Sequence, residues 1–276
     1  MILRGAALAW PAVAQWNPEF FAEKYAAITV PCYRELPDSM VPQEHRDANH
    51  RRNESVAAFV GHVRSGERCY MHSTDAKAFP GLEEQFDFGD LLPDAPGAVF
   101  VKIWFGAKTR SGLHFDPRDN FFAQIHGLKQ VYLVSPADNR RAYPSPADIT
   151  KSQVNPIAES HPEHPRFESA TVYEGTLEPG DVLFIPRGWW HHICAEDVSI
   201  SLNCFFGEPM TLGDLAGVVT EASPLLWMQI VRDAVRYGLC GARFDPGLFA
   251  TPPSGKLFYD IVFDRNGTRS LIPLRR

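Results

Sequence analysis

No apolar run in the 276 residues approaches the roughly 18 that a membrane-spanning helix needs. The apolar opening, MILRGAALAWPAVAQW, is broken by Arg4, Pro11 and Gln15, so it reads as neither a secretory core nor an anchor. Cysteine is sparse. Cys32, Cys69, Cys194, Cys204 and Cys240 form an odd set with no Cys-x-x-Cys pair, which argues against a disulfide framework and points to reduced thiols in a cytoplasm. Positive charge is in deficit. Against 33 Asp and Glu stand 27 Lys and Arg, and the net charge of −6 weighs against phosphate-driven binding of nucleic acid. The one basic cluster, HRDANHRR at 45–52, is either a solvated loop or a rim contact for an anionic substrate. Internal repeats and low-complexity tracts are also absent.

What remains is a globular composition, 45% hydrophobic and 22% charged, long enough to bury its own core. Asn17 and Pro18 predict a helix start over 17–25, and apolar spacing predicts a second helix over 54–65. From residue 98 the pattern is that of short strands. NFFAQI and KQVYLV flank His126-Gly127-Leu128, read as a hairpin loop, and residues 136–170, rich in Pro and Ser, read as a long surface loop. Pro179-Gly180 suits the centre of a type II turn. Short strands with turn signals imply a mainly β barrel or sandwich. After 208 the pattern is helical over 211–221 and from Ser223-Pro224 to near Gly238. That second helix places Trp227, Ile230, Val231, Ala234 and Val235 on one stripe, for core packing or a dimer contact. The tail at 256–274 carries strand-like runs around Asn266-Gly267, a hairpin signal.

The chemistry concentrates in SGLHFDPRDNFFAQIHGLKQ. On an extended chain residues i and i+2 share a side, about 6.5–7 Å apart, so His114 and Asp116 can lean toward one ion. Two such ligands leave most of a coordination sphere open, and GWWHHI at 188–193 offers either His191 or His192 as a third. Two His and one carboxylate suit non-haem Fe(II), and zinc would accept the same set. Lys129 lies on a strand apolar on both faces. If it points inward, its ammonium costs several kcal/mol unless an anion meets it.

The segments HFDPRDNFFAQIHGLK, LEPGDVLFIPRGWWHHI and SISLNCFF resemble the JmjC/cupin-like family of Fe(II)- and 2-oxoglutarate-dependent oxygenases, in particular its asparaginyl hydroxylases. ERCYMHSTD at 67–75 and the stretch 2–16 extend the resemblance over about 1–207, with the β-helix core over about 98–207 and a helical extension over 208–276. The resemblance implies a double-stranded β-helix, or jelly roll, with N-terminal helices. It implies iron on His114, Asp116 and His191, with His192 on the opposite face of its strand. Lys129 would bind the distal carboxylate of 2-oxoglutarate, and Tyr70, Ser111, Asn120 and Asn203 would line that pocket. With O2 as the other co-substrate, the implied reaction is hydroxylation of a C–H bond, first of all in a protein or peptide side chain. A small molecule or a tRNA nucleoside is the alternative substrate, and demethylation of N-methyl-lysine is accessible through the same oxidation. His72 stands where relatives place a polar residue facing the active site; Trp104, Arg118, Trp189 and Trp190 are read as mouth residues, with core packing the alternative for the tryptophans, and the helices at 211–238 stand where relatives dimerise. A non-catalytic metal or ligand binder of the same fold is the reading from a different class, and it would have no need of an anchor such as Lys129.

Overall fold

The computed structural model describes residues 1–36, 50–243 and 253–263. Strand β1 (Ile2–Leu3) leads into two short helices, α1 (Pro11–Gln15) and α2 (Pro18–Lys24). As the sequence predicts, the Asn17 side chain accepts from the Phe20 N–H at 2.8 Å and starts α2. Strands β2 (Thr29–Tyr33) and β3 (Arg51–Ser55) pair, helix α3 (Val56–Arg64) follows, and β4 (Cys69–Asp75) returns to β2. The central strands are β5 (Phe100–Ala107), β6 (Asp119–His126), β7 (Lys129–Val134), β8 (Val172–Leu177), β9 (Val182–Ile185), β10 (Trp190–Cys194) and β11 (Val198–Phe206). Helices α4 (Leu212–Ala222), α5 (Pro224–Asp233) and α6 (Ser254–Val262) close the chain, with a π-helical turn, Ala234–Leu239, after α5.

All strand pairings are antiparallel. One sheet runs β1-β9-β6-β11-β5-β4-β2-β3 and the other β10-β7-β8. The two pack face to face through Phe122, Leu183 and Ile185 of the large sheet and Val131 and Leu177 of the small one. This is the jelly roll expected from the resemblance.

Side-chain alternation sorts each central strand between two surroundings. Ile103, Phe105, Ala107, Phe121, Ala123, Ile125, Ile200, Leu202 and Cys204 face outward, into a core closed by Trp16, Phe21 and Phe59 of the N-terminal helices. Their alternating neighbours Asn120, Gln124, Ser199, Ser201 and Asn203 are also buried, so the polar face of the sheet lines the barrel. A second core lies outside the small sheet. There Leu113, Phe115 and Trp190 pack with Ile149, Val154 and Phe167 and with Leu215, Val219, Leu226 and Ile230 of α4 and α5.

Four readings of the sequence need correction. His126-Gly127-Leu128 is not a hairpin: β6 belongs to the large sheet and β7 to the small one, so the turn carries the chain across the barrel. Residues 136–170 are not a surface loop, because Ala142, Ile149, Val154 and Phe167 are buried in the second core. Residues 254–262 are helical rather than extended, and Asn266-Gly267 lies outside the described residues, as do residues 45–49 of the basic cluster. On α5 it is Leu226 and Ile230 that are buried, whereas Val231 and Val235 are 57% and 47% exposed. The predicted type II turn is present: Gly180 has φ +94° and the Asp181 N–H donates to the Glu178 carbonyl at 3.0 Å.

The crossover depends on Gly127, whose φ is +72° and whose missing Cβ would lie 2.1 Å from the Val198 carbonyl oxygen. Gly127→Ala should therefore lower the unfolding free energy by about 1–3 kcal/mol, read as a lower denaturation midpoint. A midpoint equal to that of the parent chain would show the crossover to be pliable.

Candidate metal centre

Between β5 and β6 the chain leaves the large sheet, and residues 110–116 run beside β10 instead. The Ser111 N–H donates to the Ile193 carbonyl at 2.8 Å, and the Ile193 N–H donates back to Ser111 Oγ. His114 and His191 then donate to each other's carbonyls at 3.1 and 2.7 Å. This ladder sets the two imidazoles side by side, ring centres 4.2 Å apart. Asp116 follows two residues on, and its own carbonyl accepts from the Gly188 N–H at 3.0 Å, which ties it to the loop before β10.

Ligand atoms of His114, Asp116 and His191 all lie within 4.8 Å of one another, and His191 Nε2 is 3.5 Å from an Asp116 oxygen. His114 Nδ1 is 2.8 Å from the Gly112 carbonyl and His191 Nδ1 is 3.0 Å from the Trp189 carbonyl. A carbonyl only accepts, so both Nδ1 atoms carry the proton and both Nε2 lone pairs are left for a metal. Burial, reinforced by the neighbouring His191, pushes the His114 pKa down to about 4 and keeps the ring neutral. Burial alone would raise Asp116, but the neighbouring His191 and the other imidazoles around it hold it below its ordinary value, so it is ionised. One carboxylate and two neutral imidazoles fit a divalent first-row ion with open positions. His192 is buried on the other face of β10, 5.7 Å from the Tyr132 ring, and is outside the cluster.

Deeper in the barrel, Lys129 is 2% exposed. Its ammonium donates to Ser201 Oγ at 2.7 Å and lies 4.9 Å from the centre of the Phe122 ring. Burial pulls its pKa down to about 7. Among the described residues no carboxylate forms an ion pair with it. Asn120 and Asn203 are both buried, and both amide atoms of Asn120 and the amide oxygen of Asn203 have no protein partner. Buried polar atoms of this kind are ordinarily satisfied by ordered water or by a bound ligand. Tyr70 is packed 5.8 Å from Trp104 and 5.4 Å from His72, and burial raises its hydroxyl pKa. His72 and Trp104 meet edge to face at 4.2 Å.

The remaining expected residues are placed differently. Ser111 Oγ accepts from the Ile193 N–H at 2.9 Å and so secures β10. Arg118 lies over the Phe100 ring, and its guanidinium donates to the Gly207 carbonyl. Trp189 packs on the inner core beside Leu133 and 6.0 Å from Tyr173. Trp190 is core rather than rim: it is fully buried against Phe115, with Nε1 donating to Asn139 Oδ1 at 2.8 Å. Sequence reasoning missed Ser201 and Lys151. Ser201 stands two residues before Asn203 on the same strand face, a signal that strand parity could have supplied. Lys151 pairs with His114 on the side away from His191, and nothing in the sequence ties it to the metal segment.

A jelly roll with His-x-Asp after one strand and a distant His on the facing sheet defines a metal-binding cupin architecture. The chain belongs to the family described as the cupin-like domain, whose model matches residues 1–211. JmjC-type members of this family use Fe(II) and 2-oxoglutarate. The chain is 32% identical over 209 residues to lysine-specific demethylase 8 of Xenopus tropicalis, covering 74% of this chain and 47% of that protein. It is 34% identical over 131 residues to Jumonji C domain-containing protein 5 of Drosophila melanogaster, covering 45% and 33%. It is 42% identical over 134 residues to tRNA wybutosine-synthesizing protein 5 of Gallus gallus, covering 47% and 40%. The chain thus spans half or less of each of these relatives. No helix among the described residues is long and apolar enough to cross a membrane.

Asp116→Ala should weaken Mn(II) binding by more than the roughly 10- to 100-fold that loss of an outer partner costs, because the ion's only anionic ligand is gone. His192→Gln should bind Mn(II) like the parent chain. Calorimetric titration checks both, and equal losses in the two variants would undo the assignment of His191 over His192.

Proposed function

We propose that this protein is a dioxygenase that hydroxylates an unactivated C–H bond, in the first instance of a protein or peptide side chain. The observation that carries this reading is the unneutralised Lys129 ammonium beside the unpartnered amides of Asn120 and Asn203. A dicarboxylate supplies the missing counter-charge and acceptors. His114, Asp116 and His191 would hold Fe(II), and Lys129 with Ser201 would hold the distal carboxylate of 2-oxoglutarate. Tyr70, Asn120 and Asn203 would complete the pocket, and Ser111 would keep its wall in place. When bound, iron and 2-oxoglutarate would supply the oxidation, one atom of O2 entering the substrate and the other the succinate formed as 2-oxoglutarate loses CO2. The protein's part is to exclude water, fix the co-substrate and present the target bond. His72 and Trp104, packed edge to face next to Tyr70, would form an aromatic wall on the substrate side. Arg118 and Trp189 are candidates for the mouth.

Among the relatives, one is named for lysine demethylation and one for tRNA wybutosine synthesis. Demethylation begins with hydroxylation of an N-methyl group, so it uses the same oxidation. A tRNA nucleoside or a small molecule is the second reading. It draws on the wybutosine relative and on the His72–Trp104 wall, which a base could stack against. A non-catalytic binder of this fold is disfavoured by the pairing of an Fe-type triad with a dicarboxylate anchor. The exposed row Leu225, Met228, Val231 and Val235 on α5 and the turn after it supports a homodimer through this face.

Anaerobic addition of Fe(II) and 2-oxoglutarate should give the visible charge-transfer band of the chelate, and Lys129→Ala should raise the 2-oxoglutarate requirement sharply. Mass spectrometry of candidate peptides, RNA and metabolites should find a product one oxygen heavier. The absence of a band, with succinate formed equally by parent and variant, would refute the reading.

The pH dependence follows from Lys129. Its pKa in the free protein is about 7, and a bound carboxylate raises it. Co-substrate affinity should therefore be full below about pH 7 and fall as the pH rises further, with proton uptake on binding near pH 8. Calorimetry in buffers of different ionisation enthalpy measures that uptake; none at pH 8 would show that Lys129 is not the anchor.

Sedimentation velocity should show a dimer for the parent chain and a monomer for Leu225→Glu/Met228→Glu. A monomeric parent chain would remove the dimer.

A further inference from the structure

The strand on the far side of His114 is held in place by the C-terminal helix. Residues 113–115 lie between β10 and a short strap, residues 147–152, from the segment that joins β7 to β8. The Phe115 N–H donates to the Thr150 carbonyl at 2.9 Å, and the Ser152 N–H donates to the Leu113 carbonyl at 2.8 Å. The imidazole of His114 is therefore fixed by ladders on both sides, one to His191 and one to the strap.

The strap is pinned at its first residues by Ser254, at the start of α6. The Ser254 N–H donates to the Ala147 carbonyl at 3.1 Å, and its Oγ accepts from the Ile149 N–H at 2.8 Å. Ser254 is 4% exposed, so water does not readily replace either bond. Asp148, between these two points, accepts from Thr150 Oγ1 at 2.6 Å and from the Lys151 ammonium at 2.9 Å. At the far end Ser152 Oγ donates to the Ala142 carbonyl and accepts from the Val154 N–H, at 2.5 and 2.9 Å. Helix α6 itself is firmly seated on α5. A Cβ added at Gly255 would lie 2.2 Å from the Ile230 carbonyl oxygen, so the two backbones touch there. Close backbone contact seats α6 on α5, and from Ser254 a series of hydrogen bonds runs through the strap to His114 and His191.

We propose that Ser254 is a positioning residue of the metal centre, seating the strap whose ladder with residues 113–115 aims the His114 imidazole at the ion. The proposal rests on the metal reading of His114, Asp116 and His191 and adds to it a residue of the C-terminal helix.

The test uses the full chain with Mn(II) alone as the probe, so that it does not depend on the substrate. Amide exchange at Ile149 and Mn(II) affinity are measured for the parent chain, Ser254→Ala and Ser254→Thr. Ser254→Ala should speed exchange at Ile149 and weaken Mn(II) binding by about tenfold, the scale for loss of a partner that orients a metal ligand. Ser254→Thr keeps the hydroxyl and should restore both. Faster exchange at Ile149 with unchanged Mn(II) affinity would overturn the proposal, since Ser254 would then serve stability only. A Ser254→Thr variant as weak as Ser254→Ala would also overturn it. Should Ser254→Ala not fold, Ser254→Cys, with its weaker acceptor, gives the same comparison. A parent chain that binds no Mn(II) would instead refute the metal reading itself.

Discussion

A lysine ammonium sealed inside a β-barrel, with a hydroxyl and an aromatic ring as its neighbours, is the constraint around which this molecule is arranged. An isolated buried charge is costly, and proteins remove that cost by pairing it or neutralising it. Here the pKa falls to about 7. A small apolar core between the sheets, with Phe122 against the ammonium, covers Lys129 on one side. The large sheet also turns Asn120, Ser201 and Asn203 inward and buries most of its apolar residues outside the barrel, against the N-terminal helices. The outer core thus stabilises the sheet while its inner face stays polar. This division lets one thin sheet hold a fold together while its polar inner face, on the proposed reading, would receive a dianion.

The triad is assembled by a different device. His114 and Asp116 are not on a regular strand of either sheet; they lie on the short connection that leaves β5 and follows β10 before β6 begins. Because that connection pairs with β10 at His191, the spacing of the two imidazoles is set by backbone hydrogen bonds, which are stiff, and not by side-chain packing alone. The Gly112 and Trp189 carbonyls then choose the tautomer of each ring. Six backbone groups, the N–H and carbonyl of each histidine and the Gly112 and Trp189 carbonyls, therefore set the spacing and the tautomers of the two imidazoles.

Much of this was legible in the residues. The two-residue spacing of His114 and Asp116 and the isolated Lys129 on an apolar strand are local signals, and they identified the chemistry before any fold was known. The choice of His191 over His192 was not a local signal; it came from family resemblance and agrees with strand alternation in the structure. The illegible parts are those fixed by distant packing. Gly127 was read as a hairpin turn because two strands flank it, yet whether those strands pair depends on which sheet each joins. Residues 136–170 were read as a surface loop from their Pro and Ser content. Composition reports solvation of side chains, whereas Ile149, Val154 and Phe167 are buried singly, with no period to reveal them. The helix at 254–262 was read as extended because its apolar residues crowd together, and the contact with α5 decides otherwise.

The misreadings of 136–170 and of 254–262 fall together on one side of the molecule, and the physical reason is shared. The core outside the small sheet is made from Leu113 and Phe115 of the metal segment, from the 136–170 connection and from α4 and α5. Its members are far apart in the chain, so no window of sequence contains the pattern. For the same reason the helices after residue 208 cannot be regarded as an ornament on a finished barrel. They close the face of the sheet that carries His191, and Trp190, the residue next to that ligand, is enclosed by this core and bonded to Asn139. The iron-type site lies on the seam between a barrel interior that is polar and an outer layer that is apolar. Lys129 begins β7 of the small sheet, next to the strand that carries His191, while Asn120, Ser201 and Asn203 come from the large sheet. A perturbation of the outer core that moves the small sheet should therefore reach the triad and Lys129 together.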